Sequence, residues 1–154
     1  MSEITVRRAT TADIDALLQM ENECFTDPWD RRTFEGLISN PAVYFIIAEN
    51  GGVPIAFGGM TVIIDECEIL NVAVRPEMRQ KGIGRVMVNK MLDICRNLDV
   101  VTVFLEHRES NVAAASLYES MGFVPYGIRK RYYSSPTEDA ILRNLNLSRK
   151  ENEV

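Results

Sequence analysis

Histidine is almost missing from this chain: His107 is the only one in 154 residues. A histidine-rich metal site is therefore excluded, and a Ser-His-Asp relay would have a single imidazole to build on. Cysteine is scarce as well. Cys24, Cys67 and Cys95 are odd in number, far apart and free of any CxxC or metal-ligand spacing, so free buried thiols are expected. No apolar run approaches the roughly 18 residues that a membrane-spanning helix needs. The stretch Met1–Arg8 lacks the basic start and apolar core of a signal peptide, so a cytoplasmic address without a membrane partner is the expectation. Positive charge is in deficit too. A net charge of −5 argues against a general nucleic-acid binder, which is usually basic.

What is present describes a globular protein. The hydrophobic fraction of 46% and charged fraction of 25% are ordinary, and 154 residues suit one domain with a real core. Its expected extent is residues 1–147, followed by a polar tail over 148–154. Residues 1–70 carry 4 basic and 12 acidic side chains, a balance of −8; residues 71–154 carry 13 and 10, a balance of +3. One half could favour a cationic partner and the other an anionic one such as a phosphorylated cofactor, although charge asymmetry often has no ligand behind it.

Patterning divides the chain into alternating elements. Ile4, Val6 and Arg8 begin a strand. Thr10-Thr11-Ala12-Asp13 resembles a capping box, and the apolar spacing of Ile14, Leu17, Leu18 and Met20 carries a helix to about Cys24. Asp30 can cap a second, short helix through Phe34, Leu37 and Ile38 that ends near Asn40-Pro41. Val43–Glu49, Val53–Ile64 and Glu66–Val74 predict a three-strand antiparallel meander with a turn at Asn50-Gly51-Gly52. A long helix follows Gly82, then a strand over Val100–Leu105. Another helix runs from Ser110-Asn111 to Gly122, and two strands lie near Val124–Ile128 and Asp139–Leu147. The predicted fold class is α/β in the mixed α+β sense: one mostly antiparallel sheet of about seven strands with four helices.

The segment Arg79-Gln80-Lys81-Gly82-Ile83-Gly84-Arg85 joins a predicted strand to a predicted helix. Its glycines remove bulk where backbone must approach a ligand, and the free amides at a helix start attract phosphate. Arg79, Lys81 and Arg85 add positive charge. The spacing is neither GxxxxGK(S/T) nor GxGxxG, which argues against a nucleotidase P-loop and a dinucleotide fold. Taken alone, the segment equally describes a glycine-containing helix entry with solvated basic residues.

In its context the chain resembles the GNAT superfamily of N-acetyltransferases, whose acetyl-CoA loop reads R/Q-x-x-G-x-G/A after the fourth strand. Arg79, Gly82 and Gly84 match that pattern. The likeness runs over essentially the whole chain and sharpens toward bacterial enzymes that acetylate the N-terminal alanine of a ribosomal protein. The matching pieces are Asn71–Val74, Leu105-Glu106, Ser110-Asn111, Leu117–Phe123, Ile128–Tyr133 and Glu138–Ala140.

The resemblance implies acetyl-CoA as co-substrate, a ribosomal-protein N-terminus as acceptor, and direct attack in a ternary complex without a covalent cysteine intermediate. It assigns Glu106 as general base and Tyr118 as general acid toward the departing thiolate. It further implies that the backbone of Val72, Ala73 and Val74 pairs with the pantetheine arm and polarises the thioester carbonyl. Gln80, Ile83 and the rest of the Arg79–Arg85 loop would hold the pyrophosphate, with Asn111 capping its helix or touching the cofactor. A lysine side chain, a small-molecule amine, or acyl-CoA binding without catalysis are the other readings.

Each residue also has a plainer interpretation. Glu106 could pair with Arg108 or be solvated, and Tyr118 could be a core aromatic. Trp29 borders the acceptor groove or anchors its loop, and Phe25 and Asp27 share that ambiguity. Strand alternation predicts that Tyr132 and Tyr133 face opposite ways. His107 and Glu109 stand where relatives often carry Val and a small or neutral residue. On a regular strand His107 points away from Glu106, toward the surface or a supporting position.

Overall fold

Residues 3–147 are described by the computed structural model. The tail predicted over 148–154 lies outside them. Seven strands and four helices follow in the order β1 (Ile4–Arg8), α1 (Ile14–Cys24), α2 (Arg31–Ile38), β2 (Val43–Asn50), β3 (Val53–Ile63), β4 (Glu66–Val74), α3 (Ile83–Asn97), β5 (Thr102–Arg108), α4 (Val112–Ser120), β6 (Val124–Tyr133) and β7 (Glu138–Asn146). They build one sheet in the spatial order β1-β2-β3-β4-β5-β7-β6. Every neighbouring pair is antiparallel except β4 and β5. The mixed, mostly antiparallel sheet expected from the pattern is the one observed.

Local chemistry explains where the elements begin. The Thr10 amide donates to Asp13 Oδ2 at 2.8 Å while the Thr10 hydroxyl accepts from Ala12, so the box closes over a 3₁₀ turn that leads into α1. Asp30 Oδ1 accepts from the Thr33 amide at 2.9 Å and starts α2.

The sheet carries a core on each face. Leu17, Met20 and Phe34 from α1 and α2 pack against Phe45, Ile47 and Phe57. On the other face Met87, Val88 and Met91 of α3 cover Ile46, Ala56 and Met60. Phe34 meets Phe45 and Phe57 at ring-centroid distances of 5.7 and 5.9 Å, and removing such a ring costs about 3–5 kcal/mol. Gly58 and Gly59 admit this layering from both sides. A Cβ on Gly58 would stand 2.7 Å from Met91 Sδ, and one on Gly59 would stand 2.4 Å from Phe45 Cε1.

Two strands differ from their predicted limits by more than one residue. β5 starts at Thr102 and reaches Arg108, because β7 pairs with it as far as Arg108 opposite Ala140. Val100 is buried yet unpaired in the sheet, its amide bonded to Cys95 O at the end of α3. β6 extends to Tyr133 because β7 also supports its distal part. Cys67 and Cys95 are buried free thiols as expected, whereas Cys24 is half-buried.

Candidate active site

The parallel pair β4–β5 is where the sheet opens. Only Glu66, Cys67 and Glu68 pair with Thr102, Val103 and Phe104. At the same level β4 bulges: Met60 opposes Ile69 and Gly59 opposes Asn71, leaving Leu70 as an extra residue. Beyond the bulge the strands part, and among the described residues no strand lies beside the β5-facing edge of Asn71–Val74. A cavity of about 700 Å³ fills the gap, with Asn71 and Val72 on one wall and Glu106 and His107 on the other.

Further walls come from elements distant in sequence. α4 supplies Asn111 and Tyr118, the end of β6 supplies Tyr132 and Tyr133, and the α1–α2 connection supplies Trp29. Asn111 caps α4, one of the two roles suggested for it, and stands at the cavity. Its Oδ1 accepts from the Ala114 amide at 3.0 Å, and its side chain borders the cavity two turns from Tyr118.

Glu106 is half-buried, and its Oε1 accepts a 3.1 Å hydrogen bond from the Tyr132 hydroxyl. The alternative partner Arg108 is committed elsewhere, to Glu138 at 3.2 Å and to the carbonyls of Ser134 and Pro136. Tyr118 is 8% exposed, and burial pushes its phenol up to about 12. Its ring lies edge-on to Phe123 and nearly parallel to His107.

Tyr132 and Tyr133 both line the cavity, which corrects the alternation expected for them. The register between β6 and β7 slips between Arg129 and Tyr133, and Arg131 takes a left-handed φ of 53°. That irregularity turns consecutive side chains toward the same space, with their rings 5.0 Å apart.

Of the two positions expected for His107, the structure gives the supporting one: it is 5% exposed, on the β5 face opposite Glu106, and bonded to Arg143. Trp29 combines its two readings. Its ring packs edge-on against Phe34 and Phe45 while its edge borders the cavity.

Ala73 is buried with its side chain among the apolar residues under α1, so β4 presents backbone rather than that side chain to the gap. The Val74 carbonyl accepts from Arg79 Nε at 3.0 Å. The Arg79–Arg85 segment lies outside the cavity lining, past the end of β4 at the start of α3. There Gln80 and Gly82 adopt φ of 62° and 81°. Nothing stands within 4 Å of a Cβ on Gly82, so conformation selects glycine there, whereas one on Gly84 would approach Leu117 Cδ2 at 3.3 Å. Arg85 donates to Ser120 Oγ at 2.6 Å, and Lys81 is exposed. An open strand edge, a helix start rich in basic residues and a cavity lined by a carboxylate and a phenol together fit a long, phosphorylated thioester.

Glu21 carries no functional reading at the sequence level, where it is one more residue of an amphipathic helix. In the fold it is 2% exposed and borders the cavity; its carboxylate accepts from the Trp29 amide at 2.9 Å and from Asn71 Nδ2 at 2.8 Å. Burial raises its proton affinity, opposed by those two hydrogen bonds. Glu21 thus ties the α1–α2 connection to the parting point of β4. Its only sequence signal is a charge beside the apolar positions Leu17, Leu18 and Met20.

Comparison with known proteins matches this architecture. Residues 14–123 match the model of the acetyltransferase (GNAT) family. A Bacillus subtilis protein named as a putative ribosomal protein bS18 alanine N-acetyltransferase is 32% identical over 142 residues, covering 92% of this chain and 94% of the relative. The Escherichia coli ribosomal protein bS18 alanine N-acetyltransferase is 34% identical over 146 residues, covering 94% and 98%. The crystal structure of the Escherichia coli enzyme superposes with a TM-score of 0.89 at 32% identity, covering 95% of each chain.

Proposed function

The chain belongs to the acetyltransferase (GNAT) family and is an N-acetyltransferase using acetyl-CoA, and from that premise we propose that it acetylates the N-terminal α-amine of a protein, the alanine of a ribosomal protein of the bS18 kind. The observation that carries the site assignment is the convergence of Glu106, Tyr132 and Tyr118 on one cavity where β4 and β5 part. The acceptor assignment is supported by the names of relatives that span nearly the full chain. Ribosomal proteins are made in the cytoplasm, which is the compartment this reading requires.

Acetyl-CoA supplies an acetyl group activated as a thioester. The backbone of Val72, Ala73 and Val74 would hold its arm along the open edge of β4, and the residues of the Arg79–Arg85 segment would neutralise its phosphates at the start of α3. An α-amine has a pKa of about 8, so much of it arrives protonated at neutral pH. Glu106, oriented by Tyr132, accepts that proton directly or through water. Tyr118 keeps its proton because burial disfavours the phenolate, and it gives that proton to the leaving sulfur. Asn111 holds the start of α4 and so the placement of Tyr118 two turns later.

An acceptor panel tests the reading: an alanine-starting peptide with the bS18 N-terminal sequence, a lysine peptide with a blocked N-terminus, and small polyamines, each followed by mass spectrometry. Acetylation of the first at its α-amine is expected. Product on the blocked lysine peptide alone, or on amines alone, would overturn the assignment. Binding of acetyl-CoA without turnover on any amine would overturn the enzyme reading altogether.

A further inference from the structure

Close to the rings around Tyr118 lies a buried cation that no carboxylate among the described residues neutralises. Arg143 of β7 is 7% exposed and takes part in none of the ion pairs among the described residues. Its Nε donates to His107 Nε2 at 3.0 Å, and its Nη1 donates to the Phe123 carbonyl at 3.2 Å. A guanidinium does not give up its proton in a protein, so His107 Nε2 must be the bare, accepting nitrogen. The other ring nitrogen, Nδ1, lies 2.8 Å from the Arg108 carbonyl, which can only accept. His107 is thereby fixed as the neutral Nδ1–H tautomer. An imidazolium would set two N–H donors and two like charges against each other.

Arg143 thus bonds the His107 ring and the Phe123 backbone, and the rings of these two residues flank Tyr118. His107 lies at a centroid distance of 6.2 Å and 29° from parallel, and Phe123 lies edge-on at 5.6 Å. No protein hydrogen bond among the described residues fixes the Tyr118 hydroxyl, so ring packing alone sets where its oxygen sits. The charged and titratable groups at His107 are Arg143 from β7 and Tyr118 from α4, with Arg108 meeting it only through its carbonyl. Burial and the Arg143 charge both lower the imidazole's proton affinity. On β5 the adjacent residue Glu106 faces the other way, so one strand anchors the groups assigned to both proton transfers.

We infer that Arg143 and His107 are positioning residues for acetyl transfer: one guanidinium clamps His107 and the Phe123 backbone and so aims the Tyr118 phenol into the cavity. The inference rests on the reading of Tyr118 as proton donor. It differs from a general packing role because it requires the effect to pass through the Tyr118 hydroxyl.

Two measurements decide it. Because His107 is the only histidine, nitrogen NMR of the untagged protein with labelled histidine reports one imidazole. A bare Nε2 and a protonated Nδ1 are expected at neutral pH, with the ring taking up a second proton only below the ordinary histidine range. An Nε2–H tautomer, or ordinary titration near about pH 6.5, would overturn the clamp. The second measurement is a double-mutant cycle with Arg143→Met and, should that variant not fold, His107→Leu. Either change should lower kcat roughly tenfold while the KM for acetyl-CoA moves less than about twofold. In a Tyr118→Phe background the same change should cost less than about twofold. A full, additive loss in that background would overturn the positioning role and leave Tyr118 as acid. Full rate in Tyr118→Phe alone would remove the acid, and the positioning role with it.

Discussion

Tyr132 Oη donates to Glu106 Oε1 at 3.1 Å although β7 lies between their strands in the sheet. The tyrosine reaches across because β6 slips register beside Arg131, and the Arg129 guanidinium lies 5.0 Å from its ring centroid. The carboxylate on β5 is thus oriented from the far edge of the sheet. Tyr132→Phe is expected to lower kcat/KM roughly threefold to tenfold, whereas Glu106→Gln should lower it about a hundredfold, because the first loses orientation and the second the proton acceptor. Steady-state kinetics with the alanine-starting peptide compare them; equal effects would place the proton acceptor elsewhere.

Tyr118 makes an alkaline prediction. Its phenol is pushed up to about 12 by burial, while an unfolded tyrosine ionises near about 10. The folded state therefore binds this proton more tightly, and that contribution is complete below about pH 10 and is lost as pH rises toward about 12. Denaturant unfolding across this window should show Tyr118→Phe losing less stability with rising pH than the parent chain. Parallel curves would contradict the burial of this phenol.

Asp13 makes the opposite, acidic prediction. Arg7, bonded to it at 2.8 Å, holds its carboxyl down at about 2. An unfolded aspartate titrates near about 3.9, so the stabilisation is present above that pH and lost as pH falls toward about 2. Asp13→Asn is expected to cost about 1 kcal/mol at neutral pH, since the cap and the ion pair are partly solvent-exposed. Urea titrations at neutral and acid pH should show the gap closing.

Glu21→Ala would leave the Trp29 amide and the Asn71 amide group without their acceptor in a buried place. A loss of about 2–3 kcal/mol is expected, read as a lower thermal midpoint. Since the same carboxylate ties the α1–α2 connection to β4, the KM for the peptide should rise while that for acetyl-CoA changes little. A rise confined to acetyl-CoA would show that the connection serves the donor instead.

Gly82, at φ 81° beside the start of α3, makes a prediction about the donor. Gly82→Ala meets no neighbour, so its cost is conformational, about 1–2 kcal/mol. The KM for acetyl-CoA should rise and that for the peptide should not. Unchanged acetyl-CoA binding would separate this helix start from the cofactor.

By itself the amino-acid order determined what neighbours along the chain can settle. Capping at Thr10–Asp13 and Asp30, the apolar stripes of α1 and α3, the glycine at the entry of α3, and the pairing of Asn111 with Tyr118 on one helix face all depend on spacings of a few residues. The family motif marked Glu106 and Tyr118 in the same way. Tertiary structure alone decided what those residues face. The bulge at Leu70 opens β4 from β5, the irregularity at Arg131 brings Tyr132 and Tyr133 into one cavity, and Arg143 meets His107 from 36 positions away. Glu21 reaches Asn71 across 50 positions. Such contacts leave no periodic trace, because they form only when separate elements pack. A polar side chain entering that core must then find its hydrogen-bond partner wherever the fold supplies one.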